Sequence, residues 1–135
     1  MDLLAYLVVE VRWTFGRYEE NHPTWVLYQC DGKTPAWEFG QATPGEVPVD
    51  IFNSEVLAWQ LQYIDNRCAT LGKWMDAIAW DNFGLSNGLA CGTKDANGTF
   101  VQRWHGSSAP AYAAGVVEWS RKMGAALHKR GLKMM

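Results

Sequence analysis

Residues 75–82, Met-Asp-Ala-Ile-Ala-Trp-Asp-Asn, constrain the fold more than any other stretch. They have the length of a strand, and strand alternation gives them two faces. Ala77, Ala79 and Asp81 share one face; Asp76, Ile78 and Trp80 share the other. Small residues ending in a carboxylate on one side, with bulky apolar ones on the other, suit a parallel sheet covered by helices. In parallel barrels the chemistry gathers at the C-terminal ends of the strands. Asp81 is therefore the first candidate catalytic residue. The structural alternative is a buried strand closed by an Asp-Asn turn.

The segment before it strengthens the pattern. Residues 47–52, Val-Pro-Val-Asp-Ile-Phe, read as a strand, with Pro48 near its start or at an edge. Asn53 is a plausible N-cap, and Glu55 complements the dipole of the helix that follows. Val56, Leu57, Leu61, Ile64 and Cys68 recur at helical spacing, and Gly72 is a terminator. Strand, helix, strand at this length is a βαβ unit. Its two strands would end in Asp50 and Asp81 on one side of the sheet.

Elsewhere, residues 3–13 read as one strand. Residues 25–29 form a short strand, Asp31-Gly32 a hairpin turn, and residues 34–39 its return. His22 precedes a proline and reads as structural. Residues 83–106 read as a long glycine-rich loop, of the kind that is often functional. Within it Lys94–Gly98 has the start of a calcium loop but lacks the closing carboxylate. Asn97-Gly98-Thr99 fits a glycosylation acceptor, which matters only in a secretory context. A second helix begins near Ser108 with Pro110 in its first turn. Tyr112, Val116, Trp119, Met123 and Leu127 form its core stripe, and Gly131 stops it. Residues 132–135 open another strand.

Composition narrows the function. The 135 residues make room for one domain. A net charge of −2 and the lack of a basic cluster argue against nucleic acid. No membrane partner is signalled: the apolar run at residues 3–9 is too short to span a bilayer and lacks the features of a signal peptide. Cys30, Cys68 and Cys91 are odd in number and lack a C-x-x-C, so they point to neither zinc nor a closed disulfide set. One bridge with one free thiol would fit the count, but spacing does not choose the pair. The eight Trp are a high count, and Trp stacks on sugar faces as well as filling cores.

Paired strand-end carboxylates suit glycoside hydrolysis, where one acid protonates the leaving oxygen and another attacks or activates water. Close carboxylates also raise one pKa. Asp50 has structural alternatives, as a cap of the following helix or an anchor of its loop. His105, beside Trp104 at the end of the long loop, could reach a site at the mouth; the alternative is an exposed loop histidine.

The series "NHPTWVLYQCDGK", "VPVDIFNSEVLAWQLQYI", "MDAIAWDNFGL" and "YAAGVVEWSRKMGAALHKRGLKMM" resembles a run in (β/α)8-barrel glycoside hydrolases. These are the hypothetical glycosyl hydrolase and endo-α-1,4-polygalactosaminidase-like groups. The likeness spans residues 20–135. It implies an α/β fold: a partial (β/α)8 (TIM) barrel over 1–135, with parallel strands, covering helices and a small β-hairpin. It implies Asp81 as the catalytic carboxylate and Asp50 and Asn82 as substrate-side residues. Trp25, Trp104 and His105 would line the sugar site. Carbohydrate is the implied partner, and no metal or other cofactor is called for. Ala77 replaces a common glycine, and Lys73-Trp74-Met75 replaces the usual approach to the strand.

A complete barrel needs about 250 residues. The second catalytic acid expected on a later strand is thus missing, and open sheet edges would favour self-association. The rivals are a non-catalytic truncated barrel that binds carbohydrate and an interaction module unrelated to glycosidases.

Overall fold

The computed structural model describes residues 4–8, 11–13, 22–36, 45–71, 75–81 and 84–135. Only the backbone is described for 4–8, 11–13, 45–47, Leu71 and Asp81. The chain runs β1 (Leu4–Val8), β2 (Val11–Trp13), a 3-10 turn (Pro23–Trp25), β3 (Leu27–Tyr28) and β4 (Gly45–Val47). Helix α1 (Ser54–Leu71) and β5 (Ala77–Asp81) follow, then β6 (Gly92–Lys94), β7 (Phe100–Gln102), α2 (Pro110–His128) and β8 (Lys133–Met134).

The strands form three small sheets rather than one wall. β1, β5 and β8 make a parallel sheet with β5 in the centre. β2 pairs antiparallel with β4. β3, β6 and β7 form an antiparallel sheet. The partial barrel is therefore overturned: among the described residues no run of successive parallel strands curls toward closure.

The reason lies in residues 48–53. They do not extend beside β5, whose neighbours are β1 and β8. Val49 instead bridges antiparallel to Val26, and the Leu27 amide donates to the Pro48 carbonyl at 3.1 Å. Asp50 then turns the chain. Its Oδ1 accepts the Phe52 N–H at 3.1 Å, and its carbonyl accepts the Asn53 N–H at 3.0 Å. A short acid that bonds a nearby backbone amide competes with a ladder. Here it ends the extended segment three residues before the expected strand would.

The local punctuation holds where the described chain reaches it. The Asn53 side chain accepts the Glu55 N–H at 2.9 Å and caps α1. Gly72 lies outside the described residues. α2 buries Val116, Trp119, Met123 and Leu127. At its end Leu132 N–H returns to the Leu127 carbonyl and Gly131 N–H to that of His128. This is the Schellman arrangement, with Gly131 at φ +73°. β8 then lies parallel to β5, so β5–α2–β8 is the true βαβ unit.

Residues 3–13, expected as one strand, divide into β1 and β2 in different sheets. The expected loop at 83–106 contains the β6–β7 hairpin. Its strands are three residues each, too short for periodicity to reveal. The Asp31-Gly32 turn is present. Asp31 Oδ1 accepts the N–H groups of Lys33 and Thr34, and Gly32 sits at φ +67° against the Phe100 ring. The return strand is reduced to a bridge between Tyr28 and Pro35, and residues 37–39 lie outside the described chain.

One core joins the helices to the parallel sheet. Val56 and Ile64 of α1, Ile78 of β5 and the α2 stripe meet in it, with Trp80 packed alongside. Trp80 meets Trp119 edge-on at 4.9 Å, so the bulky face of β5 does turn toward a helix. Buried Gln60 is satisfied by the Trp119 indole N–H at 3.2 Å. A second, smaller cluster of Leu27, Ala36, Ala90, Trp104 and Ala109 lies by the antiparallel sheet. Cys30 and Cys91 form a disulfide there, leaving Cys68 free.

Candidate binding surface

The capped start of α1 sets a row of side chains at four-residue intervals: Glu55, Trp59, Tyr63 and Arg67. Such residues lie one above the next on a helix. The row flanks the buried Val56, Gln60 and Ile64. Its aromatic members are therefore half-buried, while Glu55 and Arg67 are exposed. Trp59 and Tyr63 stack with centroids 5.9 Å apart and planes 26° from parallel. The Tyr63 hydroxyl accepts from Arg67 Nε at 3.0 Å and from Nη2 at 2.8 Å.

The 3-10 turn extends the row. Trp25 lies 6.2 Å from Trp59, and its indole N–H donates to Glu55 Oε2 at 2.9 Å. His22 stacks on Trp25 at 3.8 Å and is exposed. Pro23 at the first turn position fixes this approach. The result is a band of flat rings, with a carboxylate along it and a guanidinium at one end. From Glu55 to Arg67 it runs ~18 Å, the rise of twelve helical residues.

This arrangement can bind but supplies no nucleophile with its base. It offers π faces to C–H-rich surfaces, an acceptor in Glu55 and donors in Arg67. Among the described residues, no group of three or more His, Cys, Asp or Glu could hold a metal. No described helix is long and apolar enough to cross a membrane.

The residues singled out from sequence fall elsewhere. Asp81 ends β5, its backbone level with Val8 of β1. Its side chain, and all of Asn82, lie outside the described residues. Asp50 is 5 % exposed, and its Oδ2 accepts from Arg103 Nη1 at 2.6 Å. Burial lifts its carboxyl above the ordinary range, against the downward pull of Arg103. The neighbouring-strand argument for an Asp50–Asp81 pair therefore loses its basis, since Asp50 leads into a turn and β1 and β8 flank β5.

Trp104 is 4 % exposed and packs edge-on against Phe52 and Tyr112, with the Arg103 guanidinium 4.6 Å from its ring. Trp25 is 5 % exposed. Both rings serve as packing, and neither presents an open face. His105 is exposed, with Nδ1 2.9 Å from Gln102 Nε2. The structure thus joins Asp50 and Trp104 through Arg103 as a buried polar anchor.

Trp59, Tyr63 and Arg67 escaped the sequence reading because the apolar stripe of α1 drew the eye. The signal was the four-residue spacing of Glu-Trp-Tyr-Arg along the stripe's edge. A cavity of about 140 Å³ between the start of α1 and the middle of α2, lined by Ile51, Phe52, Leu57, Gly115 and Trp119, is apolar. Its rim carries the Glu118–Lys122 ion pair. No protein-family model, curated protein or solved structure matches this chain at a significant level.

Proposed function

We propose that this domain binds oligosaccharide or polysaccharide without cleaving it, along the aromatic row of α1. The supporting observation is the stacked, half-exposed Trp59–Tyr63 pair bracketed by Glu55 and Arg67. The axial C–H face of a pyranose is apolar and lies flat on an aromatic ring, while its rim of hydroxyls needs hydrogen-bond partners. Rings in the middle and polar groups at the ends match that division. Two rings already stacked on one another lose little rotamer freedom when a ligand arrives, which favours binding.

Hydrolysis of glycosidic bonds is the competing reading. It rests on Asp81 at the C-terminal end of a parallel strand. One experiment separates the two. The chain is titrated with soluble oligosaccharides while tryptophan fluorescence is followed, and reducing ends are assayed in parallel. Saturable quenching without new reducing ends is expected. Trp59→Ala should weaken binding about fivefold, in line with ~1 kcal/mol for one aromatic contact. New reducing ends that vanish in Asp81→Asn would overturn the non-catalytic reading. Quenching unchanged in Trp59→Ala and Tyr63→Ala would remove the row from the site.

A further inference from the structure

We propose that Asn97 is an N-glycan acceptor and that this chain matures in an oxidising secretory compartment. The sequence Asn97-Gly98-Thr99 supplies the acceptor pattern, and two independent features of the fold give it a context.

The first is accessibility. The tripeptide lies at the tip of the β6–β7 hairpin, with Asn97, Gly98 and Thr99 all exposed. Asp95 holds the turn through backbone groups alone. Its Oδ1 accepts the N–H groups of Asn97 and Thr99, each at 2.9 Å, and its carbonyl accepts that of Gly98 at 2.9 Å. Among the described residues, neither the Asn97 carboxamide nor the Thr99 hydroxyl is used in these bonds. Gly98 takes φ +79° with open space around its Cα. A saccharide on Asn97 therefore projects from the turn without displacing a contact.

The second is the Cys30–Cys91 disulfide. Disulfides persist where glutathione and thioredoxin do not keep thiols reduced, which is the environment of the secretory route. Cys91 immediately precedes β6, so the bridge and the acceptor belong to the same small sheet. The compartment that makes the bridge is also the one in which a lipid-diphosphate-linked oligosaccharide is the glycosyl donor. In the transfer, the Asn97 amide nitrogen gives up a proton and bonds to the anomeric carbon. The anomeric C–O bond breaks, and its electron pair leaves with the lipid diphosphate. The Thr99 hydroxyl two residues on is the group by which the transferring enzyme recognises the site.

The test is expression of the full chain behind a cleavable secretion signal in a eukaryotic cell. Intact mass is measured on both the secreted chain and the membrane-enclosed pool, before and after an endoglycosidase that cuts at asparagine. A heavier chain that returns to peptide mass with aspartate at position 97 is expected, as is one alkylatable thiol, Cys68. Asn97→Gln and Thr99→Ala should abolish the added mass, and Thr99→Ser should retain it. An unmodified Asn97 in both pools would overturn the acceptor assignment. Three alkylatable thiols in the recovered chain would overturn the oxidised state.

Discussion

The parallel β1–β5–β8 region and the antiparallel β3–β6–β7 region are held together by different means. The first leans on two long helices and an apolar core in which Met123 and Leu127 are fully buried. The second has strands of two or three residues and a core of small side chains around Trp104. It is fastened by a disulfide, by turn carboxylates at Asp31 and Asp95, and by the Asp50–Arg103 ion pair. Short strands with little to bury do not stand alone, and covalent and polar ties compensate.

Both crossovers of the parallel sheet contribute to the second region. β3 leaves the segment between β1 and β5, and β6–β7 leave the segment between β5 and β8. Their pairing clips one excursion to the other.

The largest effect expected from breaking this division comes from the bridge. Cys30→Ala with Cys91→Ala should cost about 4 kcal/mol, the loop-closure entropy for a 61-residue separation. Denaturant melts report the total. Native-state hydrogen exchange should show the loss first at Cys91 and Arg103, whose amides bond across the antiparallel sheet, while β5 stays protected. Equal loss of protection in both regions would mean that they form a single cooperative unit.

Leu127→Ala should cost about 3 kcal/mol, as a fully buried leucine leaves a cavity. Its effect should appear in the parallel sheet and helices, with the Cys30–Cys91 region protected longer under mild denaturant. The reverse order would reverse the comparison.

Arg103→Ala should cost about 2 kcal/mol at about pH 7, because it strands a buried carboxylate; the partial exposure of Arg103 moderates the loss. The sign of the pH dependence follows from the raised Asp50 carboxyl. A carboxyl whose folded value lies above its unfolded one contributes stability below the unfolded value and loses it as pH rises through the folded value. Without Arg103 the charged form is costlier still. The variant's deficit should therefore shrink as pH falls toward about 4. Equilibrium melts across that range would detect it, and a pH-independent deficit would exclude the mechanism.

The smallest effect belongs to the exposed Asp65–Arg130 pair that joins α1 to the end of α2. The Arg130 hydrogen bond holds the Asp65 carboxyl below its ordinary range. Its contribution is present above the unfolded value and is lost as pH falls through the folded one. Asp65→Asn should cost about 0.5 kcal/mol, since solvent screens such pairs. Melts of this variant sharpen the contrast with Arg103, whose partner is buried.

Sequence periodicity read α2 and its core stripe, the cap at Asn53 and the strand around Ile78, because each is decided within one or two turns of chain. It read β8 from its place after Gly131. It did not read the role of residues 47–52. Val-Pro-Val-Asp-Ile-Phe carries the alternation of a strand, but Asp50 bonds the Phe52 amide and Val49 pairs with Val26. The likeness to barrel hydrolases depended on that segment lying beside β5. The aromatic row was present in the spacing of Trp59 and Tyr63, yet their half-buried state depends on which face of α1 the core takes.

The sequence by itself determined where helices start and stop, where Asp31-Gly32 and Asn97-Gly98 turn the chain, and which residues are apolar enough to be core. These are local matters of capping, glycine conformation and periodicity. Only the tertiary structure decided that Cys30 meets Cys91 rather than Cys68, that β5 lies between β1 and β8, and that Asp50 meets Arg103 across 53 positions. Those choices join segments distant in sequence, and they depend on how the apolar surfaces of the whole chain are buried together.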